Sequence, residues 1–340
     1  MKPLPDTDSD SLPLLFLRFG NSQEAGHLLE RLLLRLKKRS LSTLVLSFAE
    51  APAGRCRLCS ADTFGVAESA LLAEPIVLRR RFLSEYAHRF GAEYDLLLID
   101  AGPEDDEGEV QGVEFGRAGD GSRPFIRLRD REELAPACER LYSWLEQQVV
   151  RPPLWSCLLI GGKSLRMGRP KHLIEDRAGV AWSERLVCLL SNQSDGVVLS
   201  GAGAIPPSLS HLPRLADIEG AQGPLAGIVA AMRWKPDACW LVSACDMPLI
   251  GEAALKWLLS TRRPGIWGSV PLQPGSQRLE PLFAHYDFRA RTLFERMVSA
   301  EEYRLNRIGE SAKIATPPVP VEYRRSWRNC NTPEDIEDSR

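Results

Sequence analysis

The residues best suited to chemistry gather in Leu158–Lys171, LLIGGKSLRMGRPK. An apolar run, Leu154–Ile160, stops at paired glycines and opens into a loop carrying Lys163, Ser164, Arg166 and Lys171. The run reads as a buried parallel strand. Gly161 and Gly162 let the backbone turn and approach a ligand with no Cβ in the way. Successive backbone N–H groups in such a loop form a nest for phosphate oxygens, and Arg166 and Lys171 add cationic donors. The spacing is neither the Walker A pattern nor the G-x-G-x-x-G dinucleotide fingerprint. On these residues alone, an ordinary strand-to-helix turn is the alternative.

Further features follow, each at a strand end or a turn. Asp217 precedes Gly223-Pro224-Leu225-Ala226-Gly227, where glycines flank a proline at a helix start. Such a turn exposes N–H groups to a ring or a phosphate, or simply opens a helix without a ligand. Cys245-Asp246-Met247-Pro248 directly follows the apolar run Cys239–Ala244. An acid at the carboxyl end of a central parallel strand lies where open α/β sheets bind ligands. Beside phosphates it is a natural Mg²⁺ ligand; its plainer role is to cap the next helix. Arg278–Tyr286, RLEPLFAHY, reads as a strand with a polar beginning that could line the acceptor side of a cleft, and His285 within it reads as a packed or surface histidine. Asn329-Cys330-Asn331 precedes Thr332-Pro333-Glu334-Asp335, a good helix start, and both asparagines can offer amide oxygens to a metal or a hydroxyl.

These residues need a scaffold, and the pattern supplies one. Beyond Arg151-Pro152-Pro153 the chain alternates strand and helix. Strands are expected at Leu154–Ile160, Gly196–Ser200, Cys239–Ala244, Gly268–Leu272 and Leu279–Tyr286. Helices are expected at Ala181–Asn192, Leu225–Trp234, Glu252–Ser260 and Phe288–Ser299. Such alternation makes a mainly parallel sheet covered on both faces. The prolines interrupt helix and strand alike, which divides the chain into a disordered lead over 1–13, an α/β domain over 14–150 and a second over 151–340. In the first domain, Leu14–Phe19, Leu41–Phe48 and Tyr94–Asp100 read as strands, Glu24–Lys38 and Glu132–Val149 as helices, and Pro103–Gly121 as an exposed loop.

Composition narrows the function. With 340 residues and a net charge of −2, the chain has room for two domains and no basic field for a nucleic-acid polymer. No apolar run reaches the length of a bilayer span, and the polar, acidic beginning is neither a signal nor a transit peptide. Eight scattered cysteines fit a reducing cytoplasm. Cys56 and Cys59 have C-x-x-C spacing, but no second pair completes a zinc site.

The motifs G-G-K-S-x-R-M-G-R-P-K, Asp217 with G-P-L-A-G, C-D-M-P, E-P-L-F-A-H-Y and N-C-N-T-P-E-D stand in the order found in molybdenum cofactor guanylyltransferases, the MobA-like nucleotidyltransferases. Residues 154–340 resemble that family. The resemblance implies a Rossmann-like nucleotidyltransferase sheet that joins GMP from GTP to the phosphate of molybdopterin and releases pyrophosphate. It implies that Gly161, Gly162, Ser164, Arg166 and Lys171 hold the triphosphate. Asp217, Gly223, Pro224, Leu225 and Gly227 would contact the guanosine. Asp246 would hold Mg²⁺, with Asn329 or Asn331 at the metal or the acceptor. The expected catalytic residues are Arg166, Lys171 and Asp246. Attack of one phosphate on another needs charge neutralisation and in-line placement more than a protein acid or base, and these residues supply that.

Pro170 departs from the guanylyltransferase pattern, which usually has an acid there, and is commoner in molybdopterin cytidylyltransferases. G-P-L-A-G and the Met after Cys-Asp favour GTP. A non-catalytic cofactor-binding or chaperone protein of the same pathway is the alternative from another class. Its weakness is that a pure binding module would not need both a metal acid and a triphosphate lysine. Molybdenum enzymes or other cofactor-biosynthesis proteins are the expected macromolecular partners.

Residues 14–150 resemble, more faintly, the P-loop partner of that pathway, the MobB-like proteins, through Gly20–His27, Ala61–Ala70 and Tyr94–Gly102. His27-Leu28 stands where a P-loop needs Lys-Ser or Lys-Thr, so this domain is expected not to hydrolyse GTP. It reads equally as an adaptor or as a structural remnant.

Overall fold

The structure is a computed structural model, and it describes residues 14–19, 25–47, 57–60, 94–100, 114–117, 124–128, 134–160, 170–176, 178–273, 275 and 278–330. The expected lead over 1–13, Cys56, the stretches 20–24 and 61–70 and the helix start at Thr332 lie outside the described residues. By internal contacts the chain forms two units, residues 1–151 with 263–265, and residues 152–262 with 266–340.

In the first unit β1 (Leu14–Phe19) leads to α1 (Ala25–Lys38), β2 (Thr43–Ser47), β3 (Arg57–Ser60), β4 (Leu96–Asp100), β5 (Glu114–Arg117), β6 (Pro124–Leu128) and α2 (Leu134–Gln148). The sheet order is β3-β2-β4-β1-β6-β5, with β1 parallel to both β4 and β6. Leu32, Leu33 and Leu36 of α1 pack with Leu96, Leu98, Leu134, Leu141 and Leu145. The helical leucine spacing predicted this apolar face. The loop expected over Pro103–Gly121 needs correction, because Glu114–Arg117 pairs antiparallel with β6. It is a short edge strand with charges at both ends, which is how an edge is kept from further pairing.

The second unit carries the site. Its strands are β7 (Leu154–Leu159), β8 (Gly196–Ser200), β9 (Arg214–Leu215), β10 (Cys239–Ala244), β11 (Gly268–Ser269), β12 (Phe283–Tyr286) and β13 (Ile314–Ala315). Helices α3 (Trp182–Ser191), α4 (Pro224–Trp234), α5 (Glu252–Ser260) and α6 (Ala290–Ser299) alternate with them. The sheet order is β13-β11-β12-β10-β7-β8-β9. β10, β7, β8 and β9 run parallel, whereas β12 is antiparallel to β10 and β11. This is the mainly parallel α/β sheet that the alternation predicts.

Every residue of β10 is buried, as a central strand covered on both faces requires. Leu158, Leu199 and Leu241 pack on one side with α3 and α5, and Cys157, Val198 and Trp240 on the other with α4 and α6. The strands expected at 268–272 and 279–286 are shorter than their apolar runs. Pro271 and Pro281 cannot donate to the ladder, so regular pairing is confined to Gly268–Ser269 and Phe283–Tyr286. Among the described residues no helix is long and apolar enough to cross a membrane.

Candidate functional site

β7 and β10 are adjacent and in register, Leu159 opposite Ala244. Both strands therefore end at one edge of the sheet, where the Cys245 N–H donates to Leu159 O at 3.1 Å and the Ile160 N–H to Ser200 O at 2.9 Å. Asp246 follows at once. It is not the cap of α5, a position held by Gly251, so its carboxylate is not used in starting that helix.

Lys171 begins a single 3-10 turn, Lys171–Leu173, and its Nζ lies 3.2 Å from Asp246 Oδ2. The lysine side chain is 15% exposed and the aspartate 25%, so the pair is partly shielded yet open to a ligand. Ile160 and Pro170 flank the basic glycine loop, and both flanks adjoin Asp246, the first through the strand ladder and the second through Lys171. Gly161, Gly162, Ser164 and Arg166 lie outside the described residues.

The turn is held from below. The His172 ring bonds through Nε2 to Ala204 O at 2.6 Å, and Ser183 Oγ donates to His172 O at 2.6 Å. Arg185 of α3 donates to the carbonyl oxygens of Pro248 and Ile250, fixing the chain just after Asp246. Neighbouring Cys245 is inert by placement, because burial, with the Asp246 charge adding, pushes its thiol up to about 12.

Among the described residues Asp246 Oδ1 is buried without a hydrogen-bond partner, and the same holds for Asn329 Oδ1. The two residues belong to touching segments, since the Cys330 N–H donates to Asp246 O at 2.8 Å. Buried oxygens without donors are costly unless something else meets them. Each is an oxygen donor of the kind a hard divalent cation takes, since Mg²⁺ is held by one or two carboxylates and completes its shell with phosphate and water. Among the described residues no three His, Cys, Asp or Glu side chains form a fuller cation site. Asn331 lies outside the described residues.

Gly223 caps α4 with φ 62 and ψ −152, and Pro224 is the first helical residue, as the motif predicts. Gly227 packs against the ends of β7 and β8: a Cβ there would lie 2.6 Å from Ser200 Oγ and 2.8 Å from Leu159 Cδ2. The guanosine contact expected at Leu225 needs correction, because its side chain is fully buried in the core under α4 and packs there rather than meeting a ligand. Asp217 is exposed just after β9, near enough to Cys157 to help raise its thiol pKa, an effect dominated by burial. His285 is packed, as expected, with its pKa depressed to about 3 by burial and then by Arg262.

Within the Arg278–Tyr286 segment, expected to line the acceptor side, the sequence singles out no individual acid. Glu280 is 3% exposed, and its carboxyl is held above the usual range by burial, against the pull of Arg278 and with the help of Asp246. A lone acid inside an apolar run gives no hydropathy signal of where it points, so burial had to be seen.

The Lys–Asp pair lies at the carboxyl ends of the central strands, where open α/β sheets bind their ligands. The MobA-like NTP transferase domain matches residues 156–313. A probable molybdenum cofactor guanylyltransferase of Chloroflexus aggregans is 32% identical over 192 residues, covering 53% of this chain and 89% of the relative. Another, of Pelotomaculum thermopropionicum, is 30% identical over 188 residues, covering 53% and 88%. The solved molybdopterin-guanine dinucleotide biosynthesis protein A of Archaeoglobus fulgidus is 23% identical, with a TM-score of 0.46 over 54% of this chain and 96% of that one. The chain belongs to the MobA-like nucleotidyltransferases.

Proposed function

We propose that this protein is a molybdenum cofactor guanylyltransferase, which transfers GMP from GTP to the phosphate of molybdopterin and releases pyrophosphate. The observation that carries the reading is the Lys171–Asp246 pair, with a carboxylate oxygen left unbonded at the strand ends. The names of the two bacterial relatives support the choice of substrates.

An oxygen of the molybdopterin phosphate attacks the α-phosphorus of GTP. The bond from that phosphorus to the oxygen bridging the β-phosphate breaks, and pyrophosphate leaves with the electron pair. Little is asked of a protein acid or base; placement and charge carry the rate. Lys171, with Arg166 and the backbone of Gly161 and Gly162, holds the triphosphate, and Ser164 adds a hydroxyl. Asp246 Oδ1 and Asn329 Oδ1 are the atoms that would hold Mg²⁺, which when bound neutralises charge on the phosphates. Asp217, Gly223 and Pro224 contact the guanosine, and Asn329 or Asn331 helps at the metal or the acceptor. The domain ahead of residue 151 lacks the P-loop lysine and does not hydrolyse GTP. The enzyme works in the cytoplasm.

The test is pyrophosphate release from GTP on addition of Mg²⁺ and molybdopterin. Release should require all three, and with molybdopterin withheld the full chain should form neither pyrophosphate nor GDP. CTP replacing GTP at equal rate would move the reading to the cytidylyltransferases, the relatives that share Pro170. GDP formed from GTP alone would refute the inactive P-loop.

A further inference from the structure

Glu280 feels the charge of Asp246 and is tied through Gln273 to the segment that carries Asn329. Its Oε1 accepts a hydrogen bond from Gln273 Nε2 at 2.7 Å and pairs with Arg278 Nε at 3.1 Å. The same Gln273 Nε2 donates to Trp327 O at 3.2 Å. Trp327 is 1% exposed; its indole N–H donates to Phe283 O at 3.2 Å and its ring lies 4.6 Å from that of Phe283. Two residues on is Asn329, with its unbonded buried oxygen, and then Cys330, whose N–H reaches Asp246 O. A buried carboxylate is expensive, and nothing in the proposed transfer needs a second acid here.

Resting on the assignment of Asp246 and Asn329 proposed above, we infer that Glu280 is a positioning residue: through Gln273 and the Trp327 carbonyl it sets Asn329 against Asp246. The chain is Glu280 Oε1, Gln273 Nε2, Trp327 O. What it fixes is the separation of two oxygens on different segments. A cation tolerates little error there, since Mg²⁺ demands near-ideal octahedral geometry.

Three variants of the full chain test this. Glu280→Leu removes the acceptor, Gln273→Leu removes the donor, and Glu280→Gln keeps an amide oxygen that can still accept from Gln273. The first readout, independent of catalysis, is amide hydrogen exchange at Cys330, compared with the β10 amides as internal control. Both leucine variants should speed exchange at Cys330 by about tenfold, the factor one lost hydrogen bond carries, with β10 unchanged. Glu280→Gln should restore the wild-type rate. The second readout is the Mg²⁺ concentration giving half-maximal pyrophosphate release, which should rise about tenfold in the leucine variants and return in Glu280→Gln.

Wild-type exchange at Cys330 in both leucine variants overturns the inference. So does faster exchange with an unchanged Mg²⁺ midpoint, or a Glu280→Gln variant as impaired as Glu280→Leu, which would assign the effect to charge. If Glu280→Leu does not fold, Gln273→Leu carries the same decision. A wild-type protein without transferase activity would sink the proposed function alone, because the exchange experiment still reads the coupling.

Discussion

Lys171 and Asp246, 75 positions apart in sequence, meet with Nζ 3.2 Å from Oδ2. The contact brings the end of the basic loop onto the strand-end acid, and both charges are partly withdrawn from water. Lys171→Ala leaves Asp246 without that partner and the triphosphate without that cation. The expected loss in kcat is about 10²–10³-fold, the range seen when one preorganised charge donor is removed. Lys171→Arg should recover only part of it, because a planar fork does not replace a compact ammonium. Steady-state kinetics with a melting curve on each variant checks this; wild-type turnover in Lys171→Ala would remove the lysine from the mechanism.

Asp246→Asn keeps the size of the side chain and removes its charge. The variant should need far more Mg²⁺ for half-maximal turnover and should lose at least about 10²-fold in kcat at saturating metal. A metal titration of pyrophosphate release measures both. An unchanged midpoint would mean that the metal is held elsewhere.

Two glycines of one turn should fail for different reasons. At Gly227 the backbone is ordinary but space is absent, with Ser200 Oγ 2.6 Å and Leu159 Cδ2 2.8 Å from a Cβ position. Gly227→Ala should therefore cost about 1–3 kcal/mol by overpacking the strand ends. At Gly223 space is open but φ is +62 with ψ −152, a conformation open essentially to glycine alone, so Gly223→Ala should cost about 1–3 kcal/mol of backbone strain. Urea unfolding of the two variants gives the numbers. A Gly227→Ala variant as stable as wild type would contradict the close approach of α4 to β7 and β8.

His285 gives stability a pH dependence of known sign. Burial, reinforced by Arg262, depresses its folded pKa from 6.5 to about 3. Between those values the unfolded chain binds a proton that the fold does not, so stability falls as pH falls. The loss is about 1.4 kcal/mol for each unit below 6.5. His285→Leu removes this contribution, so its melting temperature should fall less than that of wild type between pH 6.5 and 5. Parallel curves for the two proteins would place the histidine in water.

The parts legible in the sequence were those whose signal is local. Leu154–Ile160 and Cys239–Ala244 are continuous apolar runs bounded by glycine or an acid, and both became central strands. The start of α4 was readable because Gly-Pro fixes its own dihedrals. What failed to show depends on distant partners. Glu114–Arg117 has one apolar side chain, Phe115, and becomes a strand only because β6 is there to pair with it. Prolines 271 and 281 trimmed two strands that hydropathy alone extends. Glu280 was visible as a letter, but its bonds to Gln273 and Arg278 come from folding, not spacing.

The most direct measurement supplies the protein with molybdopterin, Mg²⁺ and either GTP or CTP labelled at the α-phosphate, and follows the label into the pterin dinucleotide. Label should pass from GTP at a rate well above that from CTP, and Asp246→Asn should slow its passage by at least about 10²-fold. Preferential incorporation from CTP would overturn the guanylyl assignment, and no incorporation from either nucleotide would contradict the transfer itself.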